Sequence, residues 1–173
     1  MGKVKKGLAL IIANAEYQSQ PKLPSCCKDG VDMKFKLEQL NFDVLYYADT
    51  TRAITLDAIA EFIKLADCYS VLLMYYAGHG VQIDGENFFV PIDCTYTPIK
   101  SVFVAGSLVN VNAVTDYMND HEEKTNILIL DACRSGLAFS RDIGSIGLAE
   151  ISAGNGTIIA FATSPNTSAL GSS

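Results

Sequence analysis

The chain has 173 residues, 49% of them hydrophobic and 18% charged, which suits one globular domain over residues 1–173 with a substantial buried core. Its formal net charge is −6 and its one basic run is the short KVKK at 3–6, so nucleic acid and anionic membranes are not expected as partners. The longest apolar run, 71–77, is too short to cross a bilayer, and the N-terminus lacks a signal-peptide pattern, so we expect a cytoplasmic protein.

Short apolar runs alternate along the chain with segments of helical periodicity. The apolar runs predict strands at 7–14, 42–49, 71–77, 127–130 and 157–163. The periodic segments predict helices at 29–40, 55–66 and 111–119. Because the apolar runs are continuous rather than alternating, the strands should be covered on both faces. The sequence therefore predicts an α/β fold with a mostly parallel, doubly wound sheet.

Two long irregular stretches, 84–110 and 135–156, interrupt this alternation. The first is expected to cross the surface as a loop or a small hairpin. Both follow the carboxyl ends of predicted strands, which is where open α/β sheets place their functional sites. No internal repeat or linker divides the chain, so a single domain is predicted.

The cysteines do not form a recognisable metal-binding pattern. The chain has five, and four of them lack the paired C-x-x-C spacing of a zinc site: Cys26, Cys27, Cys68 and Cys94. We therefore expect reduced thiols in these four positions.

Two predicted strands end in residues with catalytic chemistry. The strand at 71–77 is followed by Gly78, His79 and Gly80, and the strand at 127–130 is followed by Asp131, Ala132 and Cys133. If these strands are adjacent and parallel, His79 and Cys133 emerge side by side at the carboxyl edge of the sheet. An imidazole beside a thiol favours the reactive thiolate and can protonate a leaving amine.

Each residue also has a structural interpretation. A Gly-His-Gly sequence after a strand could form a turn with a surface histidine, and a cysteine at a strand end could be buried filler. The chain has one other histidine, His121, which lies in the polar sequence NDHEEK, where a solvated position is expected. The order of the two motifs in an α/β pattern favours the catalytic interpretation.

The motifs YYAGHGVQIDGENFFVPID and LDACRSG, in this order, resemble the caspase-type cysteine proteases, and within them the paracaspase and metacaspase branch with its bacterial caspase-like proteins. The resemblance extends to IAFATSP, which is nearly the whole chain. It implies a caspase-hemoglobinase three-layer sandwich of strand order 2-1-3-4-5-6 and a thiol protease with a dyad of His79 and Cys133. It also implies an oxyanion hole from the backbone N–H groups of Gly80 and Cys133.

The same resemblance predicts which residue precedes the scissile bond. Paracaspases and metacaspases cut after Arg or Lys, and their acidic positions match Asp29 in PSCCKDG and Asp131 in LDAC. Two carboxylates could bind a guanidinium through charge-assisted hydrogen bonds. The alternatives are that Asp29 is a helix N-cap and that the enzyme cuts after Asp, as the apoptotic caspases do.

No cofactor or metal is predicted. The aspartate cluster that holds calcium in many metacaspases has no clear counterpart, because Asp84, Glu86 and Asp93 are more typical of turns and surfaces. A calcium dependence is left open on this basis.

The family resemblance also predicts that the fold continues beyond Ser173 with further helices and a sixth strand. The expected partners are a protein or peptide substrate with a basic residue before the scissile bond, and a C-terminal segment or partner chain that completes the fold. A homodimer is left open. The chain alone is expected to be weakly active and to self-associate through its last strand.

Two functions of other classes remain as alternatives. One is a catalytically inactive scaffold with the same fold. The other is a flavodoxin-like or nucleotide-binding domain, which fits the sheet pattern. This last alternative is disfavoured because the sequence IIANAEYQSQPKLP follows the first strand in place of a glycine-rich phosphate loop.

Overall fold

The computed structural model describes residues 7–95, 106–133, 148 and 151–161. The strands, in chain order β1 to β7, are Gly7–Ala13, Phe42–Ala48, Val71–Ile83, Glu86–Phe89, Val109–Asn110, Thr125–Cys133 and Thr157–Phe161. The helices, α1 to α3, are Pro24–Gln39, Arg52–Ala66 and Asn112–Asp120.

The central sheet is parallel and has the strand order β2-β1-β3-β6-β7 in the described residues. The family resemblance predicted the order 2-1-3-4-5 for these five strands, and the order is confirmed. Beyond the parallel sheet, the last residues of β3 pair with β4, and β4 pairs with β5, which forms an antiparallel ribbon. The strand β3 therefore belongs to both the parallel sheet and the antiparallel ribbon, and its residues near His79 lie where the two meet.

The helices cover the sheet on both faces, which makes three layers. On one face α1 packs against β1, β2 and β3, and its buried Cys26 and Leu37 contact the odd-numbered positions of β1 and β3. On the other face α2 and α3 bury Phe62 and Met118 against the even-numbered positions. Successive strand residues point to opposite faces, so continuous apolar runs were required to fill both layers. The predicted α/β three-layer sandwich is confirmed.

Local sequence explains how two helices begin. Thr51 caps α2 through its hydroxyl, which accepts a hydrogen bond from the Ile54 N–H at 3.3 Å. The helix α1 begins at Pro24, whose missing N–H costs nothing in the first turn, and it has no side-chain cap. It therefore starts five residues before the predicted Asp29.

The largest departure from the predicted elements is the length of β3. The apolar run predicted an end near Ala77, but the strand continues through Gly78, His79 and Gly80 to Ile83. The added residues pair with β4, so a hairpin is present at the start of 84–110, and residues 96–105 of this stretch lie outside the described residues. In the stretch 135–156, only Leu148 and 151–156 lie within the described residues.

Candidate active site

The carboxyl end of the parallel ladder between β3 and β6 brings the two predicted catalytic residues together. These strands are parallel neighbours, and their register pairs Ala77 with Asp131 and His79 with Cys133. The strand adjacency on which the dyad depended is therefore present. The side chain of Cys133 lies outside the described part of the chain, so its catalytic role stays a prediction.

The imidazole of His79 is completely buried. Its Nε2 atom lies 2.8 Å from the carbonyl oxygen of Pro21 in the segment that leads into α1. Because a carbonyl can only accept, Nε2 carries the proton in this hydrogen bond. In the neutral ring, Nδ1 is then the atom that can accept a proton, as a general base requires. The alternative of a turn with a surface histidine is wrong.

Two tyrosines hold the peptide groups on both sides of His79. The backbone N–H of His79 donates to the hydroxyl of Tyr17 at 2.8 Å, and the hydroxyl of Tyr76 donates to the carbonyl of His79 at 2.7 Å. The ring of Tyr17 also packs on the imidazole, with a centroid distance of 4.5 Å. Burial raises the pKa of both phenols above the ordinary value, so both hydroxyls stay protonated at neutral pH.

The glycines that flank His79 are explained by close packing rather than by a turn. A Cβ atom on Gly78 would lie 2.6 Å from the Tyr17 hydroxyl and 2.7 Å from the Tyr76 hydroxyl. A Cβ atom on Gly80 would lie 2.9 Å from Leu148 and 3.0 Å from Ala132. The glycines therefore let the tyrosine hydroxyls and the neighbouring strand reach the backbone around His79.

The predicted acidic residues lie near a tyrosine on the α1 side of the sheet. The hydroxyl of Tyr75 donates to Oδ2 of Asp131 at 3.2 Å. The pKa of Tyr75 is raised, first by burial, then by the charge and hydrogen bond of Asp131, and further by the charge of Asp29. Asp29 lies in the second turn of α1, where Leu23 is the N-cap, so the N-cap interpretation of Asp29 is wrong.

Gly30, the neighbour of Asp29, shows why α1 approaches the sheet so closely. A Cβ atom at Gly30 would lie 2.7 Å from the Cβ of Ala13 at the end of β1. Any larger residue would force the helix outwards. The glycine therefore keeps Asp29 close to the carboxyl edge of the sheet.

Of the predicted oxyanion-hole residues, Gly80 is next to the paired position of His79, and Cys133 is itself a paired position. Gly80 follows His79 in β3 and also pairs with Phe89 of β4, while Cys133 is the last residue of β6. Their assignment as hydrogen-bond donors to a substrate stays a prediction.

Sequence reasoning missed the polar groups that support this edge. Asn14 is buried, and its side-chain oxygen accepts from the Thr50 N–H at 2.8 Å and from the Thr50 hydroxyl at 3.0 Å. Oδ1 of Asp49 accepts from the backbone N–H groups of Ala15 and Glu16, each at 2.8 Å. These contacts fix the loop that carries Tyr17 and Pro21. The polar residues that directly follow β1 and β2 in the sequence could have indicated these hydrogen bonds.

In the residues that the structure describes, no group of three or more His, Cys, Asp and Glu side chains could hold a metal ion. Of the calcium candidates, Asp84 lies in a turn at φ 51°, Glu86 accepts from Asn110, and Asp93 accepts from the Arg52 N–H at 2.9 Å. Cys26, Cys27, Cys68 and Cys94 form no disulfide bond with one another. None of the described helices is long and apolar enough to cross a membrane.

Comparison with known proteins agrees with this architecture. The family model described as the caspase domain matches residues 6–172. Human mucosa-associated lymphoid tissue lymphoma translocation protein 1 and its mouse homolog are each 34% identical over 130 residues, which cover 75% of this chain and 15% of each relative. The Drosophila initiator caspase Dronc has a similar fold, with a TM-score of 0.64 at 14% identity over 98% of this chain and 59% of that chain.

Proposed function

Since the chain belongs to the caspase-like peptidase family, in its paracaspase and metacaspase branch, we propose that it is a cysteine endopeptidase that uses His79 and Cys133 and cuts after Arg or Lys. The observation that carries the proposal is the direct pairing of these two residues at the last position of the parallel ladder between β3 and β6. A protein or peptide with a basic residue before the scissile bond is the proposed substrate.

The environment of His79 supports a role as general base and acid. With Nε2–H donated to the Pro21 carbonyl, Nδ1 is the ring atom that can take the thiol proton of Cys133. The thiolate forms a bond to the substrate carbonyl carbon, and the C–N bond breaks as the imidazolium returns the proton to the leaving amine. Water then attacks the thioester with His79 as base and releases the acid product and the free thiol.

The oxyanion of the tetrahedral intermediate needs hydrogen-bond donors. We assign this role to the backbone N–H groups of Gly80 and Cys133, which belong to the two strands that carry the dyad. The packing of Gly80 against Ala132 supports this assignment, because it brings the backbones of β3 and β6 close together beside the dyad.

The carboxylates of Asp29 and Asp131 support basic specificity. Asp131 lies two residues before Cys133 in β6, and both Asp131 and Asp29 act electrostatically on Tyr75. A guanidinium or ammonium group bound between two carboxylates forms charge-assisted hydrogen bonds. Because parallel register places Asp131 one strand period from Cys133, a side chain that reaches Asp131 belongs to a residue next to the scissile bond.

The test is a comparison of Cys133→Ala, His79→Ala and the double variant on peptides that differ only in the residue before the scissile bond. Each single variant should abolish turnover, and the double variant should be no worse, because the two residues act as a unit. Cys68→Ala is the matched control, since Cys68 is an exposed cysteine that precedes β3, at the opposite edge of the sheet from His79, and it should retain full activity.

The same experiment separates the alternatives. Normal turnover in Cys133→Ala would contradict the peptidase proposal. A protein that folds, binds peptide and never turns it over would be the inactive scaffold. A preference for Asp over Arg would assign the enzyme to caspase-type specificity.

A further inference from the structure

Tyr75 lies in the same row of side-chain positions as the proposed dyad. In β3, the positions of Tyr75, Ala77 and His79 alternate onto the face covered by α1. Ala77 pairs with Asp131 across the ladder to β6. Tyr75 is therefore the diagonal neighbour of Asp131, two strand periods before His79.

The contact between Tyr75 and Asp131 is a hydrogen bond with a defined direction. The phenol donates to Oδ2 of the carboxylate at 3.2 Å. Tyr75 is only 4% exposed, whereas Asp131 is partly exposed. An ionised carboxylate has only acceptor sites, so a donor at one oxygen leaves the other oxygen to bind a cation.

A second carboxylate, that of Asp29, increases the stabilising effect that the Tyr75 hydroxyl has on Asp131. The charge of Asp29 acts on Tyr75 in the same direction as the charge of Asp131, so the phenol lies within the field of both groups. Two carboxylates that share a site repel each other, and a hydrogen bond to one of them offsets part of this cost. Burial and the two negative charges keep the phenol protonated, so it remains a donor at all physiological pH values.

We propose that Tyr75 is a positioning residue for the basic-residue pocket, where its hydroxyl holds one oxygen of the Asp131 carboxylate and orients the other towards the substrate's Arg or Lys. This inference rests on the proposed function, since it assigns Asp131 to substrate binding. It adds a specificity determinant that the motif around Cys133 does not contain. The substrate class that it favours is a side chain with a planar, forked cation, because such a group can bind Asp131 and Asp29 together.

The test measures peptide binding in a Cys133→Ala background, where no turnover interferes. Two peptides are compared that are identical except for Arg or its neutral isostere citrulline before the scissile bond. Tyr75→Phe should weaken binding of the Arg peptide at least about tenfold and leave binding of the citrulline peptide unchanged. In an Asp131→Ala background, Tyr75→Phe should have no further effect on the preference for Arg.

Tyr69→Phe is the matched control. Tyr69 also donates its hydroxyl to an aspartate, Asp43, at 2.7 Å, but it precedes β3 and lies at the opposite end of the sheet. It should leave both affinities unchanged. Thermal unfolding of each variant shows whether the fold is retained.

Three results are decisive. An unchanged ratio of Arg to citrulline affinity in Tyr75→Phe, or an equal loss for both peptides, would overturn the inference while basic specificity stands. A parent protein that binds both peptides equally would overturn basic specificity and the inference together. Selective, Tyr75-dependent binding of the Arg peptide, without turnover when Cys133 is present, would support the inference and contradict the peptidase proposal.

Discussion

The hydroxyl of Tyr17 accepts a hydrogen bond from the backbone N–H of His79 at 2.8 Å, and the same ring packs on the imidazole. Tyr17 lies in the loop after β1, whereas His79 lies in β3, so this contact connects two neighbouring strand ends. Both side chains are almost completely buried. The position of the imidazole therefore depends on a residue 62 positions away in the sequence.

Tyr17→Phe should lower kcat more than it changes KM. The substitution keeps the ring but leaves the buried N–H of His79 without its acceptor, which costs about 1–3 kcal/mol. The expected result is a lower melting temperature and a slower reaction with little change in peptide affinity. Steady-state kinetics and thermal unfolding measure these effects, and an unchanged kcat in a destabilised variant would show that Tyr17 has only a structural role.

Gly78→Ala should damage the site more severely. The new Cβ would lie 2.6 Å and 2.7 Å from two buried hydroxyl groups, so Tyr17 and Tyr76 would have to move. Overpacking of this kind costs about 1–3 kcal/mol and displaces the groups that hold His79. Unfolding and activity assays should both show a loss. Gly106→Ala is the control, because a Cβ there meets no atom within 4 Å, and it should leave both properties unchanged.

Asp29→Ala and Asp131→Ala should each reduce cleavage after Arg far more than they reduce stability. Each removes a carboxylate partner of the bound cation, and hydrogen bonds to charged groups contribute about 1.5–3 kcal/mol. The ratio of kcat/KM values for Arg and uncharged substrates measures the effect. Asp32→Ala provides a control on the same helix, since Asp32 pairs with Lys28 on the surface. Normal cleavage after Arg in both pocket variants would contradict the acidic pocket.

The thiol of Cys27 should react slowly at neutral pH although it is partly exposed. Burial, together with the charges of Asp49 and Glu16, raises the pKa of Cys27 above the ordinary thiol value. A raised thiol pKa leaves less thiolate at neutral pH, so alkylation should require a higher pH in the native protein than in the urea-unfolded chain. Mass spectrometry after iodoacetamide treatment measures the rates. Equal pH profiles in the two states would contradict this expectation.

Self-association of the chain should depend on β7. Among the described strands, β7 pairs only with β6, and its Ile158 is 59% exposed. An apolar side chain on an edge strand favours pairing with another chain. Ile158→Thr keeps a β-branched residue, so it should reduce self-association in light scattering without a large loss of stability. Ile54→Thr changes an exposed isoleucine on α2 instead and should have no effect.

The sequence by itself determined the α/β class with a mostly parallel sheet, whereas the strand order came from the family resemblance. Continuous apolar runs can be satisfied only by strands covered on both faces, and helical segments between them require parallel crossovers. The motifs after 71–77 and 127–130 also placed His79 and Cys133 at one edge of the sheet. These inferences succeeded because periodicity and strand direction are local properties of the chain.

Only the tertiary structure decided how His79 is held. Sequence periodicity ended β3 near Ala77 because Gly78 and Gly80 interrupt the apolar run, whereas pairing with β4 extends the strand to Ile83. The contacts of His79 with Pro21 and Tyr17 span more than 50 residues, and no local pattern encodes such distant hydrogen bonds. The role of Tyr75 also depends on tertiary structure. In the sequence it resembles an ordinary core residue, and only the register of β3 and β6 places it diagonal to Asp131.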